Sequence, residues 1–150
     1  MNTYIHSGSY GDMIFGLPAV IASGGGIYYL RDDMYPSIGK LLEVQPYIKE
    51  VRVVDNTEWK SLKESGTITH DLDKFRDTQE LHVARMHLKA FNLEFDLKQP
   101  YLFNIPANRI ARCVVQDTGR QRFPGHTVNW MELIKVQKEK MAIEHIAVNV

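Results

Sequence analysis

The chain has 150 residues, 44% of them hydrophobic, and its 18 basic and 18 acidic residues give a formal charge of zero. That length suits one domain, or one domain and the start of another. The balanced charge argues against a globally basic nucleic-acid-binding protein, so no nucleic-acid partner is expected. A single cysteine, Cys113, excludes an internal disulfide and fits a reducing cytoplasm. No apolar run reaches the roughly 18 residues that span a bilayer, and the start lacks the features of a signal peptide. A soluble, cytoplasmic protein is therefore predicted.

The amino-terminal residues follow a strand–helix–strand pattern. Thr3–His6 is predicted as a strand, Ser7–Asp12 as a turn-rich loop, and the apolar Met13–Ala22 as a helix buried on most sides. Three glycines end this helix, and Ile27–Leu30 then has the composition of a fully buried strand. Such a unit of about 30 residues indicates parallel strands with a right-handed crossover. Pro18 is expected to bend the helix or delay its start.

Further elements extend the same pattern. Ile38–Val44 is predicted as a short helix, Val51–Val54 as a third strand, and Thr67–Leu72 as a weaker strand candidate. Asp77 is expected to cap the next helix, in a pair with Glu80 that resembles a capping box. That helix carries an apolar stripe at helical spacing, formed by Leu81, Ala84, Leu88 and Phe91. The predicted fold class is α/β, with a Rossmann-like parallel sheet covered by helices.

A domain boundary is predicted at the segment between Pro100 and Pro106. After it, Ala111–Gln116 and His145–Val150 have the composition of strands with a helical segment between them. We therefore expect residues 1–104 to form a Rossmann-like domain. Residues 105–150 are expected to form the beginning of a second α/β domain, truncated at a strand with no helix to cover it.

The loop Ser7–Asp12 is the main candidate for a functional site. Gly8 and Gly11 allow a sharp turn and a close approach to a ligand, and the following helix offers free N–H groups at its amino terminus. The loop matches neither the complete dinucleotide fingerprint nor a P-loop. Two interpretations stay open: a ligand-facing site centred on Asp12, or a tight turn in which Asp12 caps the helix.

The run Gly8-Ser9-Tyr10-Gly11-Asp12-Met13-Ile14, followed by Leu17-Pro18-Ala19, resembles the amino-terminal signature of glycosyltransferase family 9. This family contains the heptosyltransferases of bacterial lipopolysaccharide biosynthesis and their relatives. Tyr28-Tyr29-Leu30, and Pro46-Tyr47-Ile48 followed by Val51–Val54, also resemble its second and third strand regions. The resemblance covers roughly residues 3–55 well and the remainder loosely. It implies a GT-B fold, in which a cleft between two Rossmann-like halves holds the acceptor on the first half and the nucleotide-sugar on the second.

The resemblance also implies an inverting sugar transfer that needs no metal and no other cofactor. Asp12 would face the cleft as the base that takes the proton of the acceptor hydroxyl, and the helix dipole would keep its carboxylate ionised. The residues expected to contact substrate with it are Gly8, Ser9, Tyr10 and Gly11. His6, at the end of the first strand, has two interpretations: a ligand contact beside the glycine loop, or a packed strand-end histidine. The partners would be a nucleotide-sugar donor and a glycan acceptor, through which the protein would meet a membrane surface. A further carboxyl-terminal domain would complete the enzyme, so the activity of these 150 residues alone stays open.

Arg120 and Arg122 are the candidate ligands for the donor phosphates. They follow the predicted strand Ala111–Gln116, in a stretch from Ile105 to His126 that holds four arginines and one aspartate. Two arginines on such a loop suit a diphosphate. A solvated basic loop is the other interpretation of the same residues.

Other polar residues are given structural roles. His82 and His87 are expected at the surface or at the boundary of the core, and Trp59 is expected to be a packing anchor. A solvated loop, rather than a metal site, is predicted for Asp71, Asp73 and Asp77, among which Lys74 and Arg76 are interspersed.

Two functions of other classes remain open. One is a non-catalytic α/β binding module. The other is a small nucleotide-binding Rossmann protein, for which Asp32 or Asp33 supplies the acidic residue that ends the second strand. The incomplete glycine fingerprint counts against the second.

Overall fold

The computed structural model describes residues 1–105, 113–116, 135 and 146–149. The chain forms two compact units, Met1–Ile105 and Pro106–Val150. None of the helices within the described residues is long and apolar enough to cross a membrane.

The first unit is built on a sheet of four strands that are all parallel. The strands are β1 (Asn2–Ile5), β2 (Gly26–Arg31), β3 (Ile48–Val54) and β4 (His70–Asp71). Their order across the sheet is β3-β2-β1-β4. The predicted neighbours among the first three strands are therefore confirmed, as is the helix-covered, Rossmann-like α/β class. Because β4 lies on the opposite side of β1 from β2 and β3, the winding direction reverses between β1 and β4.

Helices cover both faces of this sheet. They are α1 (Tyr10–Ala22), α2 (Lys40–Glu43), α3 (Asn56–Glu64) and α4 (Val83–Ala90), with a π-helical turn at Tyr35–Gly39 and a 3-10 helix at Leu72–Asp77. Side chains of successive strand residues point to opposite faces. Tyr4 accordingly joins the core that α1 and α4 cover, whereas Ile5 joins a smaller core with Trp59 of α3. Trp59 is buried there, which confirms its predicted packing role.

Helix α1 begins three residues before the predicted start. Ser9 is its N-cap, and the Ser9 and Asp12 side chains form a capping box with each other's backbone N–H groups. Pro18 lies inside the continuous helix and is buried, so the predicted delay of the helix start is wrong. The capping box explains the early start, since it satisfies backbone donors that the first turn would otherwise leave unpaired.

Two predictions between β3 and α4 are wrong. Asp77 does not cap a helix with Glu80, because it ends the 3-10 helix, while α4 begins at Val83 with His82 as its N-cap. Leu81 therefore precedes α4 and is fully exposed. The apolar spacing predicts a helix that extends about one turn too far toward the amino terminus, beyond the N-cap His82. Helix α3 was not predicted at all, although Asp55 caps it by accepting the Glu58 N–H at 2.8 Å.

The second unit is described only in part. Strands β5 (Cys113–Gln116) and β6 (Ile146–Asn149) pair in parallel, with Cys113 opposite Ile146. Both strands lie within the segments predicted as strands. Arg120 and Arg122 lie outside the described residues, so their phosphate-binding role stays a prediction.

Candidate functional site

The candidate site lies at the carboxyl ends of β1 and β4. His6 and Ser7 follow β1 directly, Asp73 follows β4, and Asp12 stands in the first turn of α1. In open parallel sheets, ligands bind where the winding direction reverses, outside the carboxyl ends of the strands. The reversal between β1 and β4 therefore brings the predicted loop to the expected position for a ligand site.

Three successive backbone N–H groups of the loop are bonded to side chains of the same unit. The Ser7 N–H donates to Asp73 Oδ1 at 3.0 Å, and the Gly8 N–H donates to His6 Nδ1 at 2.8 Å. The Ser9 N–H donates to Asp12 Oδ2 at 3.2 Å. A phosphate-binding loop directs such groups at its ligand. These three donors are already occupied, so the loop differs from a phosphate cradle in the use of its backbone.

A buried pair of histidines is hydrogen-bonded to the loop. The Nε2 atoms of His6 and His87 are 3.0 Å apart, and both side chains are buried. His87 Nδ1 lies 2.9 Å from the Val83 carbonyl and must donate to it, which leaves His87 Nε2 as an acceptor. His6 Nε2 therefore carries a proton and donates, while His6 Nδ1 accepts from Gly8. The bonding pattern assigns both rings as neutral, in opposite tautomers.

The electrostatics of His87 agree with this assignment. Burial lowers the pKa of His87 to about 4, against the smaller opposing effect of the Val83 carbonyl. The expectation that His87 lies at the surface or boundary is therefore wrong, whereas His82 is exposed as expected. His87 occupies the same buried helical stripe as Ala84 and Leu88. That spacing was the signal in the sequence that could have revealed it.

Glycines make room for these side chains. A Cβ atom on Gly8 would lie 2.5 Å from His6 Cε1 and 2.8 Å from Asp12 Cβ. A Cβ atom on Gly16, in α1, would lie 3.3 Å from the His87 ring. Any larger residue at Gly8 would therefore displace either the histidine or the aspartate.

Asp73 is the second anchor of the loop and is only 9% exposed. Its carboxylate accepts from the Ser7 hydroxyl at 2.6 Å, from Lys63 at 2.7 Å and from Arg76 at 3.1 Å. Burial alone would raise the pKa of Asp73, but the hydrogen bonds from its neighbours hold it well below its usual range. The predicted solvated loop is therefore wrong for this residue. Its burial depends on Ser7, which follows β1 and is 66 residues away in the sequence, and on Lys63 of α3.

The predicted substrate-facing residues divide between the surface and the interior. Ser9, Tyr10 and Gly11 are exposed, and Asp12 is half-buried. Both Ser9 contacts fall on Asp12 Oδ2, the hydroxyl at 3.0 Å, and no described residue bonds to Oδ1. Gly8 and His6 are buried, so His6 contacts the loop rather than solvent. The capping box of Ser9 and Asp12 is thus formed, and it leaves Asp12 Oδ1 for a ligand.

Neither a metal centre nor a known relative defines the site. Within the part of the chain that the structure describes, no group of three His, Cys, Asp or Glu side chains could hold a metal ion. Comparisons with protein-family models, curated proteins and solved structures gave no match to this chain. A functional assignment therefore depends on the geometry of this loop and on the sequence signature that the loop carries.

Proposed function

We propose that the protein is a glycosyltransferase of the family 9 type, in which residues 1–105 form the acceptor-side domain of a GT-B fold. The observation that carries the proposal is the position of Asp12. It stands at the start of α1, beside the carboxyl end of β1, where the parallel sheet reverses its winding direction. The reaction would move a sugar from a nucleotide-sugar to a glycan hydroxyl, with inversion and without a metal.

In this reaction Asp12 is the general base. Its carboxylate takes the proton of the acceptor hydroxyl while that oxygen attacks the anomeric carbon, and the nucleotide diphosphate leaves from the opposite side. Oδ2 is fixed by Ser9, so the orientation of Oδ1 is set before the acceptor arrives. A positioned base of this kind contributes roughly 10² to 10⁴ in rate. Tyr10, two residues before Asp12, is exposed and offers an aromatic ring to a sugar.

The hydrogen bonding of the loop supports an acceptor rather than a nucleotide at this position. A diphosphate needs free N–H groups or cations, but the N–H groups of Ser7, Gly8 and Ser9 already have acceptors. A glycan hydroxyl needs a carboxylate oxygen as its acceptor, which Asp12 offers. Binding of the donor phosphates is therefore assigned to the second domain, with Arg120 and Arg122 as its candidate residues.

One observation favours a second candidate function. Asp32 follows β2 and is exposed. Nucleotide-binding Rossmann proteins have, at the end of the second strand, an acidic residue that binds the ribose. Asp33 is instead paired with Arg31, through contacts of 2.9 and 3.0 Å. Titration with NAD and NADP, followed by calorimetry, separates the candidates. Binding that Asp32→Ala abolishes would favour the nucleotide-binding protein over the transferase.

The proposal is tested by Asp12→Asn in the full chain. Release of nucleotide diphosphate is measured over a panel of nucleotide-sugars and glycan acceptors, with a thermal melt alongside. Asn keeps the shape and the cap but cannot accept the proton, so turnover should fall roughly 10² to 10⁴-fold with an unchanged melt.

Ser9→Ala is the matched control, because it weakens the cap and keeps the carboxylate. It should lower stability by about 1 kcal/mol, and turnover should fall less than in Asp12→Asn, because the Ser9 N–H still holds Asp12 Oδ2. Near-normal turnover in Asp12→Asn would remove the catalytic role and leave only the cap.

A further inference from the structure

We propose that His6 is a positioning residue for Asp12, acting through Gly8, and that His87 fixes the tautomer this requires. The inference rests on the proposed function in so far as Asp12 is the base. The contacts that carry it do not depend on that function.

The route from His6 to Asp12 is a continuous set of contacts. His6 Nδ1 accepts the Gly8 N–H at 2.8 Å, and Gly8 is packed between the His6 ring and Asp12. The next residue, Ser9, donates its own N–H to Asp12 Oδ2 at 3.2 Å. A movement of Gly8 would therefore be passed to Ser9 and from there to the carboxylate.

The tautomer of His6 decides whether Gly8 is held. Only a His6 ring with an unprotonated Nδ1 can accept from Gly8. His87 enforces that form, because its Nε2 can only accept from His6 while its Nδ1 donates to Val83. The tautomer is thus set from α4, an element that takes no part in the loop itself.

The contact between His6 and Asp73 involves the same nitrogen atom. His6 Nδ1 is also 3.3 Å from Asp73 Oδ1. A proton placed on Nδ1 would donate to that carboxylate, and Nδ1 could then no longer accept from Gly8. Asp73 is in turn paired with Lys63 of α3 and with Arg76. Gly8 is therefore held only by the tautomer that carries its proton on Nε2.

Two replacements of His6 separate its two nitrogen atoms. Asn places an oxygen near the position of Nδ1 and can still accept from Gly8, whereas Gln reaches toward His87 but leaves the Gly8 N–H without its acceptor. His6→Asn should keep most of the turnover. His6→Gln should lower kcat by roughly 10², the cost of misplacing a catalytic group by about 1 Å, with donor KM unchanged. His82→Asn and His82→Gln are the matched controls, since His82 is exposed and caps α4, the helix that carries His87.

Nuclear magnetic resonance provides the readout that is independent of activity. The imidazole nitrogen shifts of wild type should show the proton on Nε2 of His6 and on Nδ1 of His87. Hydrogen exchange of the Gly8 amide should accelerate in His6→Gln and stay near wild type in His6→Asn. A proton on Nδ1 of neutral His6 in the wild type overturns the inference, even if both variants fail to fold. So does an equal kcat in the two folded variants.

Failure of the proposed function gives a different pattern. If the wild type transfers no sugar, the glycosyltransferase proposal fails, and the Gly8 exchange rates decide whether His6 positions the loop. Faster exchange in His6→Gln than in His6→Asn supports positioning. Equal exchange overturns it.

Discussion

Helix α1 has a glycine-rich turn at each end, and the two turns use glycine for different physical reasons. At the carboxyl end, Gly24, Gly25 and Gly26 have φ angles of +95°, +69° and +158°. At the amino end, neither Gly8 nor Gly11 has a positive φ. The carboxyl-terminal turn thus needs glycine for its backbone conformation, whereas the amino-terminal turn needs glycine for the space around Gly8. A run of glycines in a sequence does not by itself distinguish these two requirements.

The carboxyl-terminal turn is held by hydrogen bonds between uncharged groups. The Gly25 N–H donates to the Val20 carbonyl at 2.9 Å and closes the helix, and the Gly26 N–H donates to the Tyr47 carbonyl at 3.1 Å. The Tyr4 hydroxyl donates to the Gly25 carbonyl at 3.2 Å. Carbonyls, amides and hydroxyls make these contacts. The amino-terminal turn, in contrast, is held by the imidazole of His6 and the carboxylates of Asp12 and Asp73.

The largest effect on stability is expected at Gly25. Alanine there would place a Cβ against the Tyr47 carbonyl and hold a non-glycine residue at positive φ. We expect Gly25→Ala to lower the free energy of unfolding by about 3 kcal/mol, measured by urea denaturation. Gly24→Ala is the matched control, because an added Cβ meets nothing within 4 Å and only the φ penalty of about 1 kcal/mol remains. Equal losses in the two variants would show that the contact with Tyr47 is unimportant.

The next effect is a dependence of stability on pH that belongs to the amino-terminal turn. The folded pKa of His87 is about 4, below its unfolded value of about 6.5. The folded state therefore binds fewer protons, and the stability that His87 contributes is complete above about pH 6.5. It is lost as the pH falls toward 4, by about 3 kcal/mol in total.

His87→Gln tests this dependence, because Gln keeps an acceptor for His6 and does not titrate. The difference in unfolding free energy between wild type and variant should shrink between pH 7.5 and pH 4.5, in urea titrations at each pH. Asp73 does not produce this window. Its depressed pKa maintains its contribution down to its unfolded value of about 3.9 and loses it only at lower pH. Parallel pH curves for wild type and variant would contradict the burial of a neutral His87.

A smaller effect on stability, with a loss of activity, is expected from Gly8→Ala. The added Cβ would overlap His6 and Asp12, so the loop must move, at a cost of about 2 kcal/mol. The same movement displaces the carboxylate, and turnover should fall roughly 10²-fold. A steady-state assay with a melt alongside measures both. An unchanged kcat in a destabilised Gly8→Ala would show that Asp12 does not depend on the packing around Gly8.

The smallest effect is expected at Gly11, in the first turn of α1. An added Cβ has open space apart from the Ser9 hydroxyl oxygen at 3.9 Å. Because alanine favours helix more than glycine does, Gly11→Ala should change stability by no more than about 0.5 to 1 kcal/mol, toward greater stability. A stable but inactive variant would mean that Gly11 keeps space for the substrate, whereas Gly8 keeps space for the protein's own side chains.

The amino-acid sequence determined much of this protein through local patterns. The apolar strands and their spacing predicted β1, β2 and β3 as parallel neighbours, and the loop Ser7–Asp12 predicted a helix after β1, although that helix begins three residues earlier than expected. The resemblance to glycosyltransferase family 9 used residues of the same local segment, which is why Asp12 could be singled out. These features depend on residues close together in the chain, so composition and periodicity suffice to find them.

Two of the residues that hold the loop, His87 and Asp73, are brought to it only by the tertiary fold. His6 meets His87 across 81 residues, and Ser7 meets Asp73 across 66. No local rule joins such pairs, because β4 lies beside β1 only through the order of strands in the sheet, and α4 reaches β1 only by packing on α1. His87 and Asp73 were therefore assigned to the surface by the preference of polar side chains for water. Both are buried instead, because His6 and Ser7, which are distant in the sequence, complete the hydrogen bonds that Val83 and Arg76 begin.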